Sequence, residues 1–476
     1  MKAFGKQIVL CLIGGLLGGC AAQHYKASPI VPSTTATQFE SRNLADAGLR
    51  SFEEKNLGHP VSPWPAQKWD LQTLSVAALY FNPSLDLARA RLATAEGAVE
   101  TAGARPNPTL DLVPGVPSPY LLTQDVLFLI ETAGKRGRRV EAAKTLDQAA
   151  QFDLADSAWT VAMGVRTALL NYLVASRNLE LLESQEKARQ DQVAILEQIL
   201  AAGEMTRFNV DLARIDLSKT TVAARAAEVQ LADANSALAA AIGVPTTALD
   251  EAEFSWSGLG PGLETLPAPE SIPVEKVRRE AVVNRLDIRR SLAQYEAAEA
   301  DLRSEIAKQY PNFNIGPGYT YEEQNSFFTV GFSTSLPVFN RNKGPIEEAK
   351  GRREQAAAAF LQTQAQAIEK SERALAVYTA AVKEVAEAQS LYQLQEAQVR
   401  VVQQSIGAGA DYRLNLDGVQ IQVSLLAQAR LDALARAQQA FGDLEDSLQQ
   451  PLAPGEMLPI APESSSWKEI SGERSR

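Results

Sequence analysis

The sequence predicts a mainly α-helical protein with two membrane-type β-hairpins, written as one unit used twice. Three observations predict it. The stretch "AGEMTRFNVD" at 202–211 returns as "AGADYRLNLD" at 408–417, so that Gly203, Arg207 and Asp211 are matched by Gly409, Arg413 and Asp417 at a constant offset of 206. No proline occurs between Pro119 and Pro245 or between Pro345 and Pro451, and both windows are rich in the helix formers Ala, Gln, Glu, Leu and Lys. Ahead of each window lies a shorter segment in which apolar residues alternate with small or polar ones, the period of a strand.

The chain opens on "MKAFGKQIVLCLIGGLLGGC": Lys2 and Lys6, an apolar run from Ile8 to Leu17, then small residues. A run of about ten apolar residues is too short to span a bilayer, and residues 1–19 read as a secretory signal peptide. Leu17-Gly18-Gly19-Cys20 resembles a bacterial lipobox, which makes Cys20 the lipidated first residue of the mature chain. Ala21, in place of Asp, points to the outer membrane. Cys11 leaves with the signal peptide, so the mature chain forms no internal disulfide even in a compartment that allows them. Residues 20–70 follow as a lipidated linker.

The first repeat spans 71–250. "NPSLDLARARLATAEGAVETAGARPNP" (82–108) reads as a helix leading to Pro106. A hairpin at about 108–131 comes next; Leu122, Gln124, Val126, Phe128 and Ile130 alternate imperfectly, and Pro114, Pro117 and Pro119 crowd its tip. The Gly/basic turn "TAGKRGRRVEAA" opens a helical hairpin over 134–243, along which Val165, Tyr172 and Leu179 step by seven. Its first arm, from about Lys135 to Ala202, would be on the order of 100 Å long at 1.5 Å per residue. Gly203 and Gly409 suit the position just past a helix end, so each repeated stretch is the tight turn between two long helices. The first returning helix runs to about Ile242.

Residues 251–272 link the repeats, and the second repeat spans 273–452. "NRLDIRRSLAQYEAAEADLRSEIAKQYPNF" (284–313) leads to Pro311, and a hairpin at about 311–339 follows. In its first strand Phe313, Ile315, Pro317, Tyr319 and Tyr321 alternate with Asn312, Asn314, Gly316, Gly318 and Thr320. In its second Phe328, Val330, Phe332, Thr334, Leu336 and Val338 alternate with Thr329, Gly331, Ser333, Ser335 and Pro337, after the connection "EEQN". Such a pair fits a transmembrane β-hairpin with Phe313, Ile315, Tyr319, Tyr321, Phe328, Val330 and Phe332 toward lipid and Asn314, Thr320 and Ser333 toward water. A half-buried strand pair of a soluble sandwich is the alternative. The helical hairpin at 343–448 shows a heptad seam directly: Leu361, Ile368, Leu375 and Val382 are seven apart, with Tyr378 and Val385 three residues further on. Residues 453–476 are a C-terminal tail.

Chemistry is scarce. The two histidines, His24 and His59, lie in the irregular N-terminal stretch, and no nucleophile–base pair can be named, so no enzyme activity is expected. Two Cys, four Met and two His form no ligand cluster, so neither a metal site nor a cofactor is expected. "AGKRGRR" lacks the second spaced glycine and the Ser/Thr of a P-loop. The net charge of −11, which becomes −13 without Lys2 and Lys6, argues against nucleic acid as a partner.

The two-fold unit, the lipobox and the junctions "IETAGKRGRRVEAA" and "LPVFNRNKGPIEEAK" resemble the TolC family of outer-membrane efflux proteins, from about Leu71 to Leu452. The junctions look most like its heavy-metal branch, the cobalt-zinc-cadmium type. The resemblance implies a homotrimer with a 12-stranded outer-membrane β-barrel, four strands per chain, continued by a long periplasmic α-helical barrel. It implies a passive exit duct, in contact with outer-membrane lipid, that works with a periplasmic adaptor and an inner-membrane RND pump and carries cations of the cobalt, zinc, cadmium or nickel type. Elementary physics points the same way. An open four-stranded sheet cannot sit in lipid with unpaired edges, and three copies related by cyclic symmetry close an even-numbered ring.

In that family, acidic residues after the second turn ring the periplasmic aperture and a nearby arginine ties neighbouring helices shut. The positions resembling these are Asp417 for the ring and Arg413 for the tie, with Asp211 and Arg207 in the first repeat; Gly418 stands where alanine is usual. A second reading makes Asp211 and Asp417 helix carboxylates stabilised by the dipole. Two other functions stay open: a channel of the same type for drugs, solvents or type I secretion, and a periplasmic coiled-coil structural lipoprotein or adaptor, which would have no use for ten-residue strands.

Overall fold

A computed structural model describes residues 24–115, 121–255, 266–273, 279, 282–407 and 413–452. Cys20 lies outside them, as do Gly409, the tip of the first strand hairpin and the C-terminal tail. The chain divides into two units, Met1–Arg42 and Asn43–Arg476. The first holds the nine-residue helix α1 (Pro32–Glu40), which buries none of its side chains.

The second unit begins with α2 (Ala47–Leu57), where the Asp46 side chain accepts a hydrogen bond from the Leu49 amide and satisfies a free helix-end donor. The two-residue strand β1 (Lys68–Trp69) leads to α3 (Leu71–Phe81), opened by a capping box between Asp70 and Thr73. Asn82 ends α3 and caps α4 (Pro83–Gly103), whose proline sits where no amide donor is needed. Strands β2 (Thr109–Pro114) and β3 (Leu121–Ile130) precede α5 (Lys135–Ala201) and α6 (Arg207–Ile242), helices of 67 and 36 residues. After the short strand β4 (Glu253–Phe254), which pairs in parallel with β1, the order repeats. Helix α7 (Leu286–Ala307), strands β5 (Phe313–Glu322) and β6 (Asn325–Thr334), α8 (Lys343–Gly407) and α9 (Arg413–Leu448) follow; the last two have 65 and 36 residues.

The turn after α5 shows why glycine stands there. Gly203 takes φ +79°. Its amide reaches the Leu200 carbonyl at 2.9 Å, and the Glu204 amide reaches Ile199 at 3.2 Å, which satisfies carbonyls the helix end leaves open. A side chain at that φ would be strained.

The long strands form one antiparallel sheet in the order β2-β3-β5-β6, so β3 of the first repeat pairs with β5 of the second. The connection of β5 to β6 is tighter than the four residues "EEQN" suggest. Glu322 pairs with Asn325, and only Glu323 and Gln324 turn the chain, both in the left-handed region at φ +45° and +73°. This two-residue geometry matches the twist of the strands. Alternation in the sequence continues to Val338, but β6 ends at Thr334, because Pro337 has no amide for a ladder.

The main core joins α2, α3 and the start of α4 to the middle of α5 and the end of α6, around Leu49, Leu74, Leu79, Leu85, Val165, Leu169, Leu238 and Ile242. A second core joins α8 to α9 through Tyr378, Phe441 and Leu444, with Leu375, Val382 and Val385 packed against it. Leu361 is not part of that seam; it is exposed. The reason is length. Lys370 already pairs with Asp446 near the end of α9, so the start of α8 has no α9 beside it and packs on α7 instead.

Candidate functional site

Two surfaces matter: the faces of the sheet and the far ends of the long helices. Cross-strand register places Phe313, Ile315, Tyr319 and Tyr321 on one face with Phe328, Val330 and Phe332. Leu122, Gln124, Val126, Phe128 and Ile130 share it through β3, and Leu110 and Leu112 through β2. Tyr319 meets Phe328 edge-on at 5.7 Å between ring centres, and Phe313 stacks on Phe332 at 5.7 Å. Aromatic pairs of this kind hold register by packing across strands. Phe328, Val330 and Phe332 are 89, 76 and 63% exposed, a contiguous apolar surface that calls for a covering.

The other face carries Asn314, Thr320 and Ser333, and Asn314 donates to Ser333 at 3.1 Å. Two features of this face went unread in the sequence. Asp111 and Asp125 stand directly opposite each other on β2 and β3. Gly316, Gly318 and Gly331 leave room beside them, and a Cβ on Gly318 would collide with the Asp125 carboxylate. The strand parity in "LDL" and "TQD" was the available signal. The face is not wholly polar: Phe327 stands opposite Thr320, and Leu121, Leu127 and Leu129 of β3 and Val113 of β2 share its parity.

The sheet joins the helices through a set of polar latches. Lys135 is buried and its Nζ donates to the Tyr310 carbonyl at 2.6 Å and to Asn312; burial pushes its pKa down. Thr132 donates to the Pro311 carbonyl at 2.6 Å, and Asn342 to the Glu305 carbonyl at 2.8 Å. Arg139 grips Glu131 with both guanidinium nitrogens, and that hydrogen bond holds the Glu131 carboxyl below its usual range.

At the far ends of the helices the matched residues of the two repeats do not share an environment. Asp211 is half exposed, 3.7 Å from Arg214 and 4.0 Å from Arg207; Arg214 in turn binds Glu197 of α5 at 2.6 Å. Asp417 is only 5% exposed and is engaged within the protomer. The Arg413 side chain and Gly409 lie outside the described residues. One sequence pattern thus holds an open carboxylate in one repeat and a covered one in the other.

Between α5 and α9 lies a polar cavity of about 750 Å³. Its charges are paired: Lys370 with Asp446 at 2.5 Å, Arg285 with Asp287 at 2.8 Å, and buried Arg166 with Glu445 at 3.6 Å. Gln449 donates to Asp156 at 2.7 Å. The Arg166–Glu445 and Gln449–Asp156 contacts tie the first repeat to the second. Among the described residues no three His, Cys, Asp or Glu side chains gather in a way that could hold a metal, and no helix is long and apolar enough to cross a membrane.

Comparison with known proteins shows what this arrangement is similar to. Residues 277–448, most of the second repeat, match the outer membrane efflux protein family. The chain is 25% identical over 327 residues to the cobalt-zinc-cadmium resistance protein CzcC of Cupriavidus metallidurans, a match covering 67% of this chain and 74% of that protein. The outer membrane protein VceC of Vibrio cholerae has the same fold, with a TM-score of 0.65 and 21% identity over 80% of this chain and 96% of that one. So does CusC, whose structures describe transmembrane channel formation, with a TM-score of 0.63 and 17% identity over 83% of this chain and 95% of its own. With two hairpins in one sheet and two long helical pairs, the chain has the fold of these outer-membrane proteins, and its second repeat is similar to the outer membrane efflux protein family.

Proposed function

We propose that three copies of this chain form the exit duct of a tripartite RND pump, working with a periplasmic adaptor and an inner-membrane pump and carrying heavy-metal cations. The observation that carries the cargo is the relative CzcC, a cobalt-zinc-cadmium resistance protein that this chain follows over 74% of its length. The ions pass in water, since the described residues offer no cluster to hold them.

Two features support the trimer. Strands β2 and β6 are the edges of the sheet and have no further partner strand among the described residues. In lipid, such edges must be closed by another copy, and three copies of four strands give a twelve-stranded ring. Helix α6 also exposes Phe208, Ile215, Val222 and Val229, seven apart, while α8 exposes Leu391, Leu394 and Val401 in the half nearest its own turn. Both stripes have the period of a coiled-coil seam and stay exposed among the described residues of the protomer. In this reading each α6 packs on α8 of the next copy. The apolar face of the sheet meets lipid, the face of Asp111 and Asp125 lines the water, Cys20 carries a lipid that aids sorting, and the turns ring the periplasmic opening.

The test is complementation. Expressed with its genomic adaptor and pump in a strain lacking all three, the chain should restore growth in cobalt, zinc or cadmium. Restored tolerance to solvents or drugs alone, with metal sensitivity unchanged, would assign the duct to a different pump. Cys20→Ser should abolish palmitate labelling; labelling that persists unchanged removes the lipid from the account.

A further inference from the structure

The end of the sheet nearest the helices carries a surface that neither the barrel nor the helical duct uses. Beyond Phe332 the apolar side chains continue: Leu336, Val338 and Phe339 are 69, 64 and 101% exposed, and Tyr310 beside them is 60% exposed. Leu336 and Val338 continue the alternation in the sequence, and the chain turns between them, the Val338 amide donating to the Leu336 carbonyl at 2.9 Å, so these exposed apolar residues follow directly on the end of β6. Cations follow at once. Arg341 and Lys343 are exposed, and Arg105 and Arg138 sit where α4 and α5 meet the same end of the sheet. None of these four side chains makes an ion pair or hydrogen bond among the described residues.

The carboxylates that could have neutralised them are taken. Glu131 is held by Arg139, and Glu305 by Lys308 at 2.6 Å and Asn342 at 2.8 Å. The Asn342 and Lys135 latches bind this loop and the start of α5 to the same end of α7 and β5, so the cations and the apolar residues belong to one rim. In a chain of net charge −11, unpaired positive charge gathered at one rim is a selective feature.

We propose that this rim binds anionic glycerophospholipid of the periplasmic leaflet, with Phe339, Val338 and Leu336 among the acyl chains and Arg341 and Lys343 on the phosphate. The inference rests on the sheet standing in the outer membrane with its helical side toward the periplasm. Two arguments choose this occupant. The patch follows directly on β6, whose apolar face this reading sets in lipid, and its charge complements a phosphate monoanion. Apolar and aromatic residues followed by cations are what a membrane boundary selects.

The experiment uses the full chain. With Phe339→p-benzoylphenylalanine in cells, irradiation should yield an adduct with the mass of a phospholipid. A crosslink to a second copy or to another protein, or no crosslink, overturns the proposal. In parallel, the protein in nanodiscs of phosphatidylethanolamine and phosphatidylglycerol at 3:1 is extracted gently and its retained lipid identified by mass. Phosphatidylglycerol should be enriched on the wild type, and each of Arg341→Ala and Lys343→Ala should cut the enrichment by about fivefold, while Arg341→Lys keeps it. Unchanged enrichment in the double alanine variant refutes the site. Heat-modifiable migration of the same samples separates this from the underlying reading: a variant that still migrates as a folded oligomer tests the rim alone, and a wild type absent from the outer-membrane fraction sinks both.

Discussion

Glu53 is 0% exposed, and neither of its carboxyl oxygens finds a hydrogen bond among the described residues. Burial, and next the nearby Asp70 carboxylate, push its pKa up to about 8. The folded protein therefore keeps a proton that the unfolded chain gives up near pH 4.3. Over the window from about 4.5 to about 8, stability falls as pH rises, by about 1.4 kcal/mol per unit, and above it this group costs nothing further. Glu53→Gln removes that slope. The difference in melting temperature between variant and wild type should move in favour of the variant from pH 5 to pH 8; a constant difference would show the carboxyl is already charged. Arg166 and Glu445 present the opposite case, a buried charge with a partner. Arg166→Met leaves Glu445 uncompensated and should cost about 3–5 kcal/mol, whereas Arg166→Met/Glu445→Leu should recover most of that loss. A double variant as unstable as the single one would mean that packing, not charge, is what Arg166 supplies.

At the scale of elements, the two faces of β6 make the sharpest contrast. Val330→Arg puts a charge on the apolar face and should cost about 2–4 kcal/mol at membrane depth, while Ser333→Arg, on the polar face, should cost much less. Urea titration of the sheet in lipid compares them, and equal costs would refute the faces. The strands also show how far local pattern reaches. Alternation marks β5 and β6 plainly, because one side of each strand is apolar. It overruns the end of β6, because period says nothing about a missing proline amide, and it lengthens the turn, because no glycine announces the left-handed pair Glu323 and Gln324. Leu361 fits its heptad in the sequence yet is exposed, since a heptad does not state how far the partner helix extends.

In the proposed trimer the turns of all copies would meet at one opening, and there the two repeats should behave differently. Asp211 is open to water, so Asp211→Asn should weaken cation preference and block by trivalent cations in planar-bilayer recordings of the purified trimer; three like charges around a pore attract cations. Asp417 is covered, so Asp417→Asn should act as Arg413→Ala does, by loosening the closed arrangement and raising conductance. If both variants conduct as wild type and lose only thermal stability, the turns are helix caps and no gate.

What the sequence determined by itself is what depends on near neighbours along the chain. Helix in the two proline-free windows, the strand alternation and the doubled order of elements are all local properties, written in proline, glycine and period. The tertiary structure decided everything that depends on which distant surfaces meet. It joined β3 to β5 across the two repeats, set Asp111 against Asp125, and matched Arg166 to Glu445. Asp211 and Asp417 show the division most clearly. They occupy the same place in the same ten-residue pattern, but exposure is a property of the packed neighbourhood, and the repeat copies the residues without copying what lies against them.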